Sequence, residues 1–338
     1  MTILVTGGAG YIGSHTCVEL IQAGYDVLIL DNFSNAKPEV LNRIESITGT
    51  RPGLVEGDVA DAELLNVIFR ENNIEAVIHF AGYKAVGESM AFPLKYYQNN
   101  LAATITLCEV MAAHECFRFV FSSSATVYGE PDTPALQEDF PLRPANTYGR
   151  TKFMVEEVLR DATLADKRWD TALLRYFNPV GAHHTGKIGE DPEGIPNNLM
   201  PYVAQVASGK LDCLSIFGND YPTPDGTGIR DYIHVVDLAQ GHVTALQKIT
   251  KDSGKHGCVA YNLGTGHGYS VLDVVNTFQR VTNKTINYKF AERRAGDIAE
   301  FFADPAFTEK ELGWKTKYNL DEMVRDHWNW QKQNPLGY

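Results

Sequence analysis

The chain has 338 residues, 44% hydrophobic and 21% charged, enough for one large domain or two modest ones with a sizeable core. Its formal net charge is −12, and no run or stripe of lysine and arginine breaks that balance. Nucleic acid and anionic membrane surfaces are therefore not expected as partners. The five cysteines include no CxxC pair and none at zinc-ligand spacing from a histidine, so reduced thiols in a cytoplasmic protein, and no metal site, are expected. No apolar run approaches membrane-spanning length, and strand-like sequence from Thr2 leaves no signal peptide to be expected.

Residues 2–6 are apolar and β-branched and run straight into glycine, as buried parallel strands do. A helix follows to about Ala23, ended by Gly24, and 27–30 is a second strand closing on Asp31. Leu54-Val55 leads into Asp58, a helix covers about 63–71, and 76–81 is another buried strand. Residues 99–113 read as a helix, 117–121 as a strand ending in Ser122-Ser123-Ser124, 148–165 as a helix and 171–176 as a strand. This alternation predicts an α/β fold, a doubly wound parallel Rossmann sheet.

The pattern changes near Asn178. Residues 178–232 are rich in Gly, Pro, Asn and Asp, with one clear helix starting at Pro196. Helices around 235–248 and 271–281, a strand at 259–263 and a C-terminal helix from about Leu320 follow. The expected division is one α/β domain over 1–177 and a smaller α/β region over 178–338. Segments near 233–262 are candidates to return to the first domain.

The first strand opens into Thr6-Gly7-Gly8-Ala9-Gly10-Tyr11-Ile12-Gly13, which satisfies G-x-G-x-x-G through Gly8, Gly10 and Gly13. Gly7, Gly10 and Gly13 satisfy the G-x-x-G-x-x-G variant. Such glycines permit a tight turn, close approach to a pyrophosphate and close helix–strand packing. The pyrophosphate would lie on the free N–H groups of the next helix. Asp31, ending the second strand, would accept from adenosine ribose hydroxyls and repel a ribose phosphate, favouring NAD over NADP. Asp58 reads equally as a contact to adenine or as a turn cap. Phe80-Ala81-Gly82-Tyr83-Lys84 ends the fourth strand at the same carboxyl edge, where cofactors lie in such sheets. His79 reads as a satisfied core histidine.

Tyr148 and Lys152 stand at i and i+4, so a helix puts both on one face. A phenol has a pKa of about 10, and half-populating its phenolate at pH 7 needs about 4 kcal/mol. A buried lysine charge supplies part of that, and Lys152 has donors for the nicotinamide ribose. Ser124, ending the fifth strand, can share the same substrate hydroxyl, although Ser122 and Ser123 also offer hydroxyls and strand parity decides among them. Together these residues point to redox chemistry on an alcohol or ketone.

With these motifs the chain resembles the extended short-chain dehydrogenase/reductases, and within them the nucleotide-sugar 4-epimerases, over its whole length. The stretches that carry the likeness include Lys84-Ala85-Val86-Gly87-Glu88-Ser89, Ser122-Ser123-Ser124-Ala125-Thr126-Val127-Tyr128-Gly129, Leu174-Arg175-Tyr176-Phe177-Asn178-Pro179-Val180-Gly181-Ala182, Ile195-Pro196-Asn197-Asn198-Leu199-Met200-Pro201 and Gly228-Ile229-Arg230-Asp231-Tyr232-Ile233-His234-Val235. The resemblance implies reversible inversion of carbon 4 in UDP-galactose and UDP-glucose, through a transient 4-keto sugar and tightly held NAD. It also implies a homodimer built on a helical bundle, with the 99–113 and 148–165 helices as candidates, and a place in galactose metabolism.

Matched position by position, the resemblance implies these contacts. Tyr11 and Ile12 touch the pyrophosphate, and Asp31, Asn32, Phe33, Ser34, Asn35 and Ala36 surround the adenosine ribose. Asp58 and Val59 flank adenine. Phe80, Lys84 and Asn99 line the cofactor channel, and Phe177 packs near the nicotinamide. Ser124 and Tyr148 meet the sugar 4-hydroxyl, with Lys152 behind them. Asn178, Asn198, Leu199, Arg230, Arg294 and Asp297 hold the UDP portion, and Ser215, Ile216 and Phe217 flank uracil. Read without the resemblance, Arg230 and Arg294 are surface ion-pair residues and Asn197-Asn198 a helix cap. Phe301 stands where bacterial relatives often carry tyrosine. It keeps the bulk and loses the hydroxyl, so N-acetylated sugars are expected to be disfavoured. A 4,6-dehydratase would commonly carry Asp-Glu after the active-site Ser, where this chain has Ala125-Thr126.

Overall fold

The computed structural model describes residues 1–192, 194–294 and 297–338. Alternation dominates its first half: β1 (Thr2–Thr6), α1 (Tyr11–Gln22), β2 (Asp26–Asp31), α2 (Glu39–Thr48), β3 (Gly53–Glu56), α3 (Ala62–Glu71) and β4 (Ile74–His79). Two short helices, α4 (Val86–Ala91) and α5 (Pro93–Tyr96), run through a π-helical turn at Tyr97–Ala102 into α6 (Ala103–Ala113). β5 (Arg118–Ser124), a 3₁₀ turn at Ala125–Val127, β6 (Ala135–Leu136), α7 (Thr147–Ala165) and β7 (Asp170–Tyr176) follow.

Shorter strands mark the second half: β8 (Asn178–Val180), α8 (Leu199–Ala207), β9 (Leu214–Phe217), β10 (Ile229–His234), α9 (Val235–Lys251), β11 (Cys258–Leu263) and β12 (Gly268–Ser270). Then come α10 (Val271–Thr282), β13 (Tyr288–Ala291), β14 (Glu300–Ala303), α11 (Ala306–Leu312) and α12 (Leu320–Gln333).

Seven parallel strands form the large sheet, in the order β11-β7-β5-β4-β1-β2-β3. The expected doubly wound Rossmann sheet is present. Alternate residues of one strand feed opposite cores, since Ile3 and Val5 pack with Ile29, Ile78 and Leu174, while Leu4 packs with Leu30, Val77 and Phe119. Burial on both faces is what makes these strands read as continuous apolar runs. Strand order reverses between β1 and β4, and a crevice outside the carboxyl ends of the strands is expected there.

A second sheet has the order β12-β10-β14-β6, with β8 added along β10, and β9 pairs β13 in a two-stranded ribbon. Two strands cross between halves. β11 lies beside β7 in the large sheet, and β6 lies beside β14 in the small one.

Among the boundaries that differ from expectation, three bear on the site. The fourth strand ends at His79, because the N–H groups of Phe80 and Ala81 both donate to the Thr6 carbonyl, which turns the chain out of the ladder. The helix expected from Pro196 starts at Leu199, with Asn198 in its N-cap position. The helix expected over 99–113 is split, with α6 preceded by the π turn. His79 is buried and hydrogen-bonded to Thr6 and Thr104, as a core histidine should be.

Candidate active site

The glycine loop lies at the strand-order reversal. Gly7 has φ +68°, and a Cβ there would stand 2.7 Å from the Ala81 nitrogen, too close for any side chain. A Cβ on Gly13 would overlap the Gly7 carbonyl oxygen. Gly10 occupies the N-cap of α1 with no side chain capping the helix, so the first-turn N–H groups are open to an anion. Backbone cradle and open donors fit a dinucleotide pyrophosphate.

Asp31 is buried, and its carboxylate accepts from Ala9 N and Phe33 N, each at 2.9 Å. It therefore holds the glycine loop as well as its own turn, and burial raises its pKa. A carboxylate accepts about four hydrogen bonds, so capacity remains for ribose hydroxyls. Asn32 donates to Asp58 at 3.0 Å and accepts from Ser34 N, and Phe33 sits at φ +53°. Asp58 also accepts from Ala60 N, the turn-capping role left open by sequence. Asn35 is exposed and Ala36 partly buried. Val59 is buried in the core with Leu4 and Leu30.

Across the crevice, Phe80 packs against His242 with ring centroids 4.7 Å apart. The backbone of Tyr83 is clamped by Asn100, which accepts from its N–H at 2.8 Å and donates to its carbonyl at 2.9 Å. Asn100 also donates to Thr151 on α7, and Asn99 donates to Asn100. The Tyr83 ring itself turns toward Tyr96 and Lys95. Sequence reasoning singled out Asn99 and missed Asn100, its buried neighbour in the π turn.

α7 starts where the Asn146 side chain accepts from Gly149 N, and this places Tyr148 in the first turn. The Tyr148 N–H donates to Ser89 Oγ at 3.1 Å. One turn on, Lys152 is buried and its Nζ donates to the Ser122 carbonyl at 2.6 Å. That ammonium lies 6.0 Å from the Tyr148 ring centroid and 4.9 Å from that of Phe121. The three serines diverge. Ser122 accepts from the Tyr176 hydroxyl, Ser123 donates to Glu156, and Ser124 sits against the Tyr148 phenol, pulling its pKa down.

Burial dominates the electrostatics here. It raises the Tyr148 phenol above its ordinary value, with only Ser124 pulling it back. It lowers the Lys152 ammonium to about 7. The partial stabilisation expected from the Lys152 charge is weakened by the same desolvation, because the buried lysine holds its own proton less tightly.

Behind this pair lies a buried network that sequence reasoning did not find. Glu156, four residues beyond Lys152, receives Arg175 Nε at 2.9 Å and Nη2 at 2.6 Å. Arg175 also donates to the Tyr128 hydroxyl, which donates to Asn262.

The second half supplies the opposite wall. Arg230 and Phe301 are register partners between β10 and β14, and the Arg230 guanidinium lies 4.6 Å from the Phe301 ring centroid. Phe301 in turn packs near Phe177. Arg294 pairs with Asp297 at 2.8 Å and lies 5.0 Å from the Phe217 ring. Ser215 is partly buried beside Phe217, whereas the Ile216 side chain is buried in the core with Val203 and Phe278. Asn178 is partly buried on β8, and Leu199 opens α8. Asn198 caps nothing with its side chain and donates to Glu190 at 2.7 Å instead. Tyr11 reaches this half through its hydroxyl, which donates to the Gly181 carbonyl at 2.8 Å, and Ile12 packs against the core.

Glycine cradle, Ser–Tyr–Lys constellation and facing arginines are those of a nucleotide-sugar enzyme of the short-chain dehydrogenase/reductase type. The family model described as GDP-mannose 4,6 dehydratase matches residues 4–327. The chain is 62% identical over 338 residues to UDP-glucose 4-epimerase of Bacillus subtilis (strain 168), covering 100% of this chain and 99% of that one. It is 58% identical over 336 residues to the protein of that name from Dictyostelium discoideum, covering 99% and 97%. Among solved structures, UDP-glucose 4-epimerase from Bifidobacterium longum in complex with NAD+ and UDP superposes with a TM-score of 0.96 at 52% identity, over 100% of both chains. The chain belongs to the UDP-glucose 4-epimerase family.

Proposed function

We propose that this protein interconverts UDP-galactose and UDP-glucose by inverting carbon 4, with NAD as its resident cofactor. The observation that carries the reading is the meeting of Tyr148, Lys152 and Ser124 at the sheet edge that also bears the glycine cradle. Relatives with that activity in their names are 52–62% identical over essentially the whole chain. In this reading residues 1–177, with β11, hold NAD, and 178–338 hold the UDP sugar.

NAD held by the glycine cradle and Asp31 would supply the two-electron acceptor, and later donor, of a hydride at carbon 4, so that a 4-keto sugar stands between the two epimers. The chain's own residues handle the proton. Tyr148 Oη takes it from the 4-hydroxyl and later gives it back, with Ser124 Oγ sharing the same oxygen. Lys152 Nζ, fixed on the Ser122 carbonyl, stands one helical turn behind the phenol and adds a positive charge there in its protonated form. Burial holds the phenol up and Ser124 pulls it back, and a cationic nicotinamide bound beside it would add to the phenolate stabilisation.

Arg230 and Arg294 are proposed to hold the diphosphate, since a guanidinium matches phosphate geometry. Asn178, Asn198, Leu199, Asp297 and the 215–217 strand take the rest of the UDP, while the hexose is held loosely enough to turn over. Strong anchoring of the non-reacting part is how binding energy serves such a reaction. Phe301, against Arg230 and Phe177, is proposed to limit room for an N-acetyl group.

The dehydratase reading finds no carboxylate at 125 or 126 after Ser124. A homodimer is proposed through α4–α7, where Met90, Phe92, Leu94, Ile105 and Met154 are exposed. No helix among the described residues is long and apolar enough to cross a membrane, and a cytoplasmic place in galactose metabolism is proposed. The deciding experiment incubates purified protein with UDP-galactose and no added cofactor. UDP-glucose is the expected product. A 4-keto-6-deoxy sugar, or no product, overturns the proposal.

A further inference from the structure

Glu190 is a buried carboxylate for which the proposed chemistry has no use. Its backbone carbonyl accepts from Trp330 Nε1 at 3.1 Å. Its neighbour Gly189 exchanges hydrogen bonds with the hydroxyl of Tyr338 and has no room for a Cβ beside the Trp330 ring. The C-terminal segment therefore fixes where the Glu190 side chain starts.

From that anchor the carboxylate reaches two segments far apart in sequence. Lys84 Nζ, in the loop after β4, donates to Oε1 at 3.3 Å. Asn198 Nδ2, at the start of α8, donates to the same oxygen at 2.7 Å. Lys84 is half exposed, with 55% of its side chain open, whereas 6% of the Glu190 side chain is. Burial first, and then the negative charge of Glu190, raise the phenol pKa of Tyr11 at the start of α1, and that charge also bears on His327.

Lys84 and Tyr11 belong to the proposed cofactor side, and Asn198 to the proposed UDP side. A lone buried carboxylate at the meeting place of two anionic ligands would repel both. One that is committed to a lysine and an amide can instead fix the direction of their donors. An oxygen shared by two donors makes their positions interdependent, because a shift of one changes the acceptor geometry of the other.

We infer that Glu190 is a positioning residue that couples occupancy of the cofactor channel to anchoring of the nucleotide sugar, by holding Lys84 and Asn198 on one oxygen. This rests on the function proposed above. Coupling of this kind is reciprocal, so UDP should slow loss of NAD, and NAD should tighten UDP.

The test uses the full-length NAD-loaded protein, with UDP as the probe. Loss of bound nicotinamide is followed with and without saturating UDP, and kcat and KM are measured for UDP-galactose. In the wild type, UDP should slow NAD loss by about tenfold. Glu190→Gln should bring that ratio below about threefold and raise KM on the order of tenfold, with kcat within about threefold of wild type. Lys84→Met breaks the same bridge from its exposed end and decides the matter if the buried substitution prevents folding. It should lose the ratio as well, and the double variant should lose no more than either single one. A wild-type ratio near one, an unaltered ratio in the variants, or a fall in kcat alone overturns the inference. Wild-type protein that leaves UDP-galactose unchanged overturns the proposed function and this inference together. Normal turnover with intact coupling in the variants overturns only this one.

Discussion

The guanidinium of Arg230 lies 4.6 Å from the ring centroid of Phe301, its register partner across β10 and β14. One residue thus stacks a proposed phosphate-binding cation and packs near Phe177, the proposed neighbour of the nicotinamide. Phe301→Ala should admit UDP-N-acetylglucosamine as a substrate. It should also loosen Arg230, weakening UDP binding by about 1 kcal/mol, within the range of cation–π contacts. Product analysis with both substrates and calorimetry with UDP check the two halves. A variant that still rejects the N-acetyl sugar removes Phe301 from the specificity role.

Tyr148→Phe should lower turnover on the order of 1000-fold or more, as expected for loss of an acid–base group. UDP affinity should change by less than about twofold, because the proposed UDP contacts lie elsewhere. Turnover near wild type would rule out Tyr148 as the proton carrier.

Glu156→Ala should destabilise the protein by about 3–5 kcal/mol, because it leaves the Arg175 guanidinium buried without its partner. Urea unfolding measures the loss. Glu156 also receives Ser123, next to Ser124, so the surviving folded fraction should show a lower kcat with little change in KM. A loss below 1 kcal/mol would contradict the buried-pair account.

Stability should fall as pH drops below about 6.5. Burial lowers His15 and His79 to about 3 and His183 and His242 to about 4. These rings are neutral in the folded protein, while the unfolded chain takes up their protons near 6.5. The unfolded state then binds more protons, so acid favours it by up to about 1.4 kcal/mol per pH unit for each ring. Urea midpoints at pH 7.5, 6 and 5 should decline in that order, and equal midpoints would refute the prediction.

Leu94 on α5 is 80% exposed, and Phe92, at the junction of α4 and α5, is 61% exposed, both beside α7. Apolar side chains this open on neighbouring helices mark a surface made to be covered. Leu94→Asp with Phe92→Asp should shift a dimer to monomer in sedimentation. A wild-type protein that sediments as a monomer would dispose of the proposed homodimer.

Much of this architecture is legible in the sequence, for definite reasons. Strands buried on both faces are continuous apolar runs, and the loop after β1 needs glycine at positions where a Cβ would meet backbone. Tyr148 and Lys152 declare themselves by helical spacing. What spacing cannot convey is the solvent environment, and burial raises the Tyr148 phenol and lowers the Lys152 ammonium. Glu156 stands one further turn along the same face, yet its partner Arg175 arrives from β7, a pairing only the fold creates. Glu190 meets Lys84 across more than a hundred positions of chain. The short strands β8, β9 and β12–β14 carry too few residues for a periodic signal, and their existence depends on the neighbours they pair with.

The exchange of β6 and β11 between sheets has a genetic corollary. A gene severed after Phe177 would yield an amino-terminal fragment whose large sheet stops at β7, with β6 dangling and unmatched. Its carboxy-terminal companion would carry an orphan β11. Neither fragment could complete its own scaffold, so the two would regain order only by finding each other.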